Sequence, residues 1–180
     1  MFGQRKKCFP QRVVQIIDEE AVIFHVGSRT FAKYHHFLLK AIKSYGLGLI
    51  GDTLVVGGGL VAKSEHADNL DILESESIFN TYTLQIPDAK SKLFEQSELV
   101  FAQGPKMPSG HVGSSSCSDG KQFVYFVGSS RPDYKKCVTR YDVHNNLIET
   151  LPQLTSETFE VGSTCFIIYR QFQRSTLWVF

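Results

Sequence analysis

The chain has 180 residues, 42% hydrophobic and 21% charged, which is enough to bury a core and excludes a disordered polymer. Lysine and arginine total 19 against 18 acidic residues, so the net charge of +1 supplies no broad field to attract nucleic acid or an anionic membrane. No run approaches the length of a membrane span, and the basic start Arg5-Lys6-Lys7 lacks the apolar stretch of a signal peptide, which sets the expectation of a cytoplasmic protein with neither nucleic-acid nor membrane partners.

In chain order, residues 1–43 form an N-terminal segment. Residues 12–26 read as two strands around Asp18-Glu19-Glu20, the outer strands of a preceding repeat unit. Residues 31–44 are ambiguous, since their spacing also suits a short amphipathic helix. Next comes SYGLGLIGDTLVVGGGL, residues 44–60, which contains Gly46-x-Gly48-x-x-Gly51. A dinucleotide site requires a helix to leave such glycines so that its amides face the pyrophosphate. Here Thr53-Leu54-Val55-Val56 and Gly57-Gly58-Gly59 follow, a strand and then three poor helix formers, so the stretch reads as strand, Gly-Asp turn, strand.

The second half repeats itself. Phe94-Glu95 falls on Tyr141-Asp142, Phe101 on Ile148 and Pro105 on Pro152 at one constant offset, and Val112-Gly113-Ser114 recurs as Val161-Gly162-Ser163. Each unit of about 50 residues reads as four short strands. The order is a small-residue strand, an apolar strand ending in glycine, a third strand with an aromatic-acidic pair, and a fourth with a large apolar residue. Asp119-Gly120 marks the first turn of the middle unit. In this register residues 44–108 are a first unit carrying an insertion, 109–156 a second, and 157–180 the start of a third. A competing register takes residues 80–88 as the third strand of the first unit.

Gly57-Gly58 after an apolar strand, Gly128 at the equivalent place, Tyr141-Asp142, Ile148 with Leu151-Pro152 behind it, and Phe94 and Phe101 in the first unit resemble the kelch repeat. That resemblance implies an all-β fold, the β-propeller of four-stranded antiparallel blades, here an incomplete ring of about three units. Gly128-Ser129 replaces the usual glycine pair, Phe101 and Ile148 replace the usual tryptophan, and Trp178 lies in a second strand instead. About three units are too few to close a ring, so the chain reads as a fragment; a final strand that clasps the first unit is the alternative. The glycines let strands approach the axis, and the large residues fill the space between blades.

No residue set points to catalysis, a cofactor or a metal. Cys8, Cys117, Cys137 and Cys165 contain no CxxC pair, and buried reduced thiols suit their apolar contexts better than two disulfides. The six histidines form no metal-spaced cluster, and GSSSC at residues 113–117 is not a nucleophile elbow. Binding residues are instead expected on the loops between second and third strands and between units, at one face of the fold. They are Arg131, Asp133, Tyr134, Lys135 and Lys136, with Ser109 and His111 in the linking loop. The resemblance implies a scaffold that binds partner proteins; the alternative is part of a kelch-type enzyme, a sugar epimerase or an oxidase.

Overall fold

Runs rich in β-branched and aromatic residues, punctuated by glycine, aspartate and asparagine, become strands throughout. The computed structural model describes residues 12–17, 20–25, 29–35, 42–62, 75–77, 79–86, 101–156, 165–169 and 175–179. The chain divides into two compact units. In the first, β1 (Arg12–Ile17), β2 (Glu20–His25) and β3 (Thr30–His35) form an antiparallel sheet in that order. The first two strands flank Asp18-Glu19, in line with the sequence. The segment that also suited a helix begins instead as β3, whose Phe31 and Lys33 pair with Phe24 and Val22. Strand pairing overrides a weak helical pattern there.

In the second unit the glycine-rich stretch is a hairpin. β4 (Ile42–Lys43) leads into β5 (Gly46–Ile50), which pairs antiparallel with β6 (Thr53–Gly57) across Gly51-Asp52. Gly51 takes φ 57°, the positive value that two-residue hairpins demand. A strand therefore stands where a dinucleotide site needs a helix. The chain then makes β7 (Leu60–Ala62) and β8 (Ser75–Ser77), which with β4 form a small three-stranded sheet ordered β4-β7-β8. β9 (Asn80–Gln85) and β10 (Ala102–Lys106) return to the hairpin and complete a four-stranded antiparallel sheet, β10-β9-β6-β5.

The third strand of this first large sheet corrects the preferred repeat register. It is β9, not the segment around Phe94, which lies outside the described residues. Leu84 stands opposite Leu54 as Tyr141 stands opposite Val124, so Leu84-Gln85 occupies the place of the aromatic-acidic pair. Backbone pairing tests only volume and register at that position, and leucine satisfies both. Phe101 is buried and immediately precedes β10. One step beyond the Ala102–Thr83 pair, it falls opposite Leu84, as Ile148 falls opposite Tyr141.

The second large sheet runs β11 (Ser115–Ser118), β12 (Phe123–Val127), β13 (Val138–Asp142), β14 (Leu147–Leu151), each antiparallel to the next. Asp119 closes the first turn. Its Oδ1 accepts the amides of Lys121 (2.9 Å), Gln122 (2.8 Å) and Phe123 (2.9 Å), while Gly120 turns at φ 71°. Asp142 repeats the device in the β13–β14 turn, accepting the amides of His144 and Asn145 and the side chains of Asn145 and Gln122. β15 (Cys165–Tyr169) and β16 (Ser175–Val179) form a further hairpin, in which Trp178 pairs with Phe166.

The two large sheets laminate. On the first, Gly46, Gly48 and Gly57 leave a bare patch beside Ile50 and Val55 on the same face, and a Cβ at these positions would stand 2.6, 2.5 and 2.7 Å from atoms of Phe126, Val124 and Phe126. The second sheet presents Val124, Phe126 and Tyr141 to that bare face, and they form one core with Ile50, Val55 and Met107. Val143 and Ile148 pack against its edge. Two serines stitch the inner strands. Ser116 Oγ donates to the Leu47 carbonyl (2.9 Å) and accepts its amide (2.8 Å), and Ser118 Oγ donates to Leu49 (2.8 Å). Their hydroxyls satisfy backbone groups that no neighbouring strand reaches. On the opposite face of the second sheet, Arg140 stacks 4.4 Å over Phe123 and pairs with Glu149.

Candidate functional site

Each second strand is followed at once by a glycine with φ 70°, Gly58 in the first sheet and Gly128 in the second. There the chain leaves the sheet and enters the loop toward the third strand. The linking segment from β10 to β11, residues 107–114, reaches the same end, so three loops meet. Gly58 cannot carry a side chain, because a Cβ would lie 2.1 Å from the carbonyl oxygen of His111. The neighbouring Gly59 amide donates to that same oxygen at 2.8 Å.

His111 is the centre of this junction. It is 0% exposed. Nδ1–H donates to the Gly128 carbonyl at 2.9 Å, which leaves Nε2 to accept from the Thr139 hydroxyl at 2.7 Å, with Ser109 Oγ at 3.0 Å. Ring and backbone together thus bind the ends of β6, β12 and β13 to the linking loop. Burial holds the imidazole pKa below its ordinary value, against the opposing pull of the Gly128 carbonyl. Ser129 completes the network: its hydroxyl donates to the Gly110 carbonyl (2.8 Å) and accepts the amides of Val112 (3.1 Å) and Arg131 (3.2 Å).

This placement corrects two expectations. Ser109 and His111 were expected to face a partner; they are buried and fully engaged in holding the loops, so no partner reaches them. The other five stand at the surface. Arg131, Tyr134 and Lys135 are half-buried, and Asp133 and Lys136 are exposed. The loop they occupy is built rather than slack. It contains a single 3-10 turn, Pro132–Tyr134, and is tied by Ser130 N–H to the Val112 carbonyl (2.7 Å), Cys137 N–H to Tyr134 (3.0 Å) and Leu154 N–H to Lys136 (2.9 Å).

The sequence did not single out Phe79. It sits just before β9, 36% exposed, and meets Tyr134 edge-on with ring centroids 6.2 Å apart. The first sheet therefore contributes an aromatic ring to the loop of the second, with exposed Lys106 paired across from Asn80 next to it. Only the competing register, which starts the third strand at residue 80, places Phe79 at the strand's mouth. Among the described residues, no three His, Cys, Asp or Glu side chains converge to hold a metal ion, and no helix is long and apolar enough to cross a membrane.

No protein-family model matches the chain, and no curated protein matches it. Solved structures do. A novel fungal alcohol oxidase of the AA5 family, in complex with copper, aligns with a TM-score of 0.56 at 10% identity, covering 86% of this chain and 32% of that one. YjhT aligns with a TM-score of 0.51 at 10% identity, covering 89% of this chain and 48% of that one. The fold is that of a β-propeller segment. Its four-stranded antiparallel blades lie face to face, and the chain spans about a third and about half of those two structures.

Proposed function

We propose that the chain is a kelch-type protein-interaction scaffold that binds partner proteins through the loops at the second-strand ends of its blades. The observation that carries this reading is the Phe79–Tyr134 pair, an aromatic contact between an exposed ring of one blade and a half-buried ring of the other, with exposed Lys106, Asp133 and Lys136 on the same segments. Aromatic anchors with a polar rim are the composition of interaction surfaces, and a loop tied by backbone hydrogen bonds loses little entropy on binding. The buried residues behind it act as scaffold and the exposed ones as contacts.

The test is comparative capture. Immobilised chain is exposed to an extract, bound proteins are identified by mass spectrometry, and the same is done with Tyr134→Ala, Lys136→Ala and Leu147→Ser. Leu147 is 64% exposed near the opposite, hairpin end, which makes it the control. The expected result is a protein retained by the wild type and Leu147→Ser and lost by the two loop variants, with unfolding free energies within about 1 kcal/mol of wild type. Equal retention by all four rejects the loop face.

A second reading, part of a propeller enzyme, is favoured by the likeness to the copper-bound alcohol oxidase. Copper-dependent oxidation of an alcohol by the chain or by a longer protein containing it would support this reading over the first.

A further inference from the structure

We propose that His111 is an acid-sensitive pin of the loop face: neutral, it locks the loops of both blades together, and on gaining a proton it releases them. The geometry gives the ring one role only when it is neutral. Nδ1 must carry the hydrogen that meets the Gly128 carbonyl, and Nε2 must accept from Thr139, with Ser109 beside it. A second proton turns Nε2 into a donor, so both hydroxyls must rotate, and it places a cation in a site with no exposure to water.

Among the described residues nothing around the ring compensates that cation. From β12 it meets the Gly128 carbonyl and the face of Phe126, 6.0 Å away; from β13, the Thr139 hydroxyl; from the linking segment, Ser109. From the end of β6 the Gly58-Gly59 backbone packs on its carbonyl. None of these groups ionises. The charged side chains of the adjoining loop, Arg131, Asp133, Lys135 and Lys136, are half-buried or exposed, and none is a partner of the ring.

Release is local by construction. The His111 carbonyl holds Gly59, Val112 holds Ser130, and Ser129 holds Val112 and Arg131, so displacing residue 111 loosens the loops on either side. The β12–β13 ladder, with its own pairing from Phe123↔Asp142 to Val127↔Val138, does not depend on the ring. The consequence for partner binding rests on the interaction role proposed above; the pin itself does not.

The experiment uses the free chain, so it decides the pin whether or not a partner exists. Histidine-labelled protein is titrated by NMR from pH 7.5 to 4.5, following the His111 ring and the exchange of the Gly59, Val112, Ser130 and Arg131 amides. The expected result is a neutral Nδ1–H tautomer that persists below the ordinary histidine value of ~6.5. Its loss should coincide with a rise of tenfold or more in exchange at those four amides, beyond the intrinsic pH effect, while β12–β13 amides stay protected. His111→Asn keeps the donor to Gly128 but cannot titrate, and should abolish the step; if that variant does not fold, the wild-type titration still decides. Protonation at the ordinary value, exchange that does not follow the ring, or simultaneous loss of the β12–β13 amides overturns the proposal.

Discussion

The two four-stranded blades among the described residues solve the same packing problem with different residues. At the end of the second strand one places Gly58-Gly59 and the other Gly128-Ser129; on the third strand one carries Leu84-Gln85 and the other Tyr141-Asp142. A polar tie between second and third strands is present in both: Gln85 Nε2 donates to Thr53 Oγ1 at 2.7 Å, and Gln122 Nε2 donates to Asp142 Oδ2 at 2.7 Å. What is held constant is positive φ where the second strand ends and a buried apolar side chain on the third strand, not residue identity. Positive φ at Gly58 and Gly128 is common to both, whereas the second residue differs: Gly59 keeps a positive φ of 99° that Ser129 does not share, and Ser129 takes on with its hydroxyl the hydrogen-bonding work that Gly59 does through its backbone.

The comparison breaks most violently at Gly58. Gly58→Val adds strain at positive φ to a collision with the His111 carbonyl, and should cost more than about 4 kcal/mol or prevent folding, as read by urea denaturation. Gly51→Ala, also at positive φ but in open space, should cost only about 1 kcal/mol. Phe126→Ala empties the space between the blades and should cost about 3–4 kcal/mol by the same measurement. Tyr141→Phe removes the hydroxyl bonded to Asn146 (2.7 Å) but leaves the ring. It should cost about 1 kcal/mol and bring the second blade closer to the first, where Leu84 has no such bond.

The smallest effect concerns acid. Desolvation works to raise the Asp142 pKa, but the hydrogen bonds from Asn145, Gln122 and His144 together outweigh it and hold the carboxyl below its usual value. Folding therefore favours the carboxylate. Its contribution is present above the unfolded value of about 4 and is lost as pH falls through the lowered folded value. Asp142→Asn should show a shallower fall in thermal midpoint below about pH 4 than wild type; an unchanged slope would remove Asp142 from the acid response.

Much of this fold is legible in the residues. The helix breakers after Gly51 exclude a phosphate cradle, and short apolar or aromatic runs between turn residues mark β6, β12 and β13. Phe101 with Ile148 and Pro105 with Pro152 mark the repeat, whereas the second Val-Gly-Ser, residues 161–163, lies outside the described residues. The first unit's third strand was legible only in the less favoured register, residues 80–88, because a leucine-glutamine pair stands where an aromatic-acidic pair was expected and the similarity at Phe94-Glu95 outweighed it. The site divides in the same way. Residues 131–136 announce a surface loop by their charges, whereas the burial of His111 depends on Gly58, Gly128 and Thr139, partners brought in from three strands. Phe79 was missed for a related reason: its exposure depends on where β9 begins.

The central claim is that the bare glycine face of the first blade receives the apolar ridge of the second, and a double-mutant cycle on Gly48→Ala and Val124→Ala tests it most directly. A methyl group at position 48 would stand 2.5 Å from Val124 Cγ1. The account predicts that Gly48→Ala destabilises the wild type by about 1–3 kcal/mol and is largely tolerated once Val124 is alanine, a coupling of at least about 1 kcal/mol. Additivity within about 0.5 kcal/mol would show that these positions do not meet, and would contradict lamination as the force that holds the blades together.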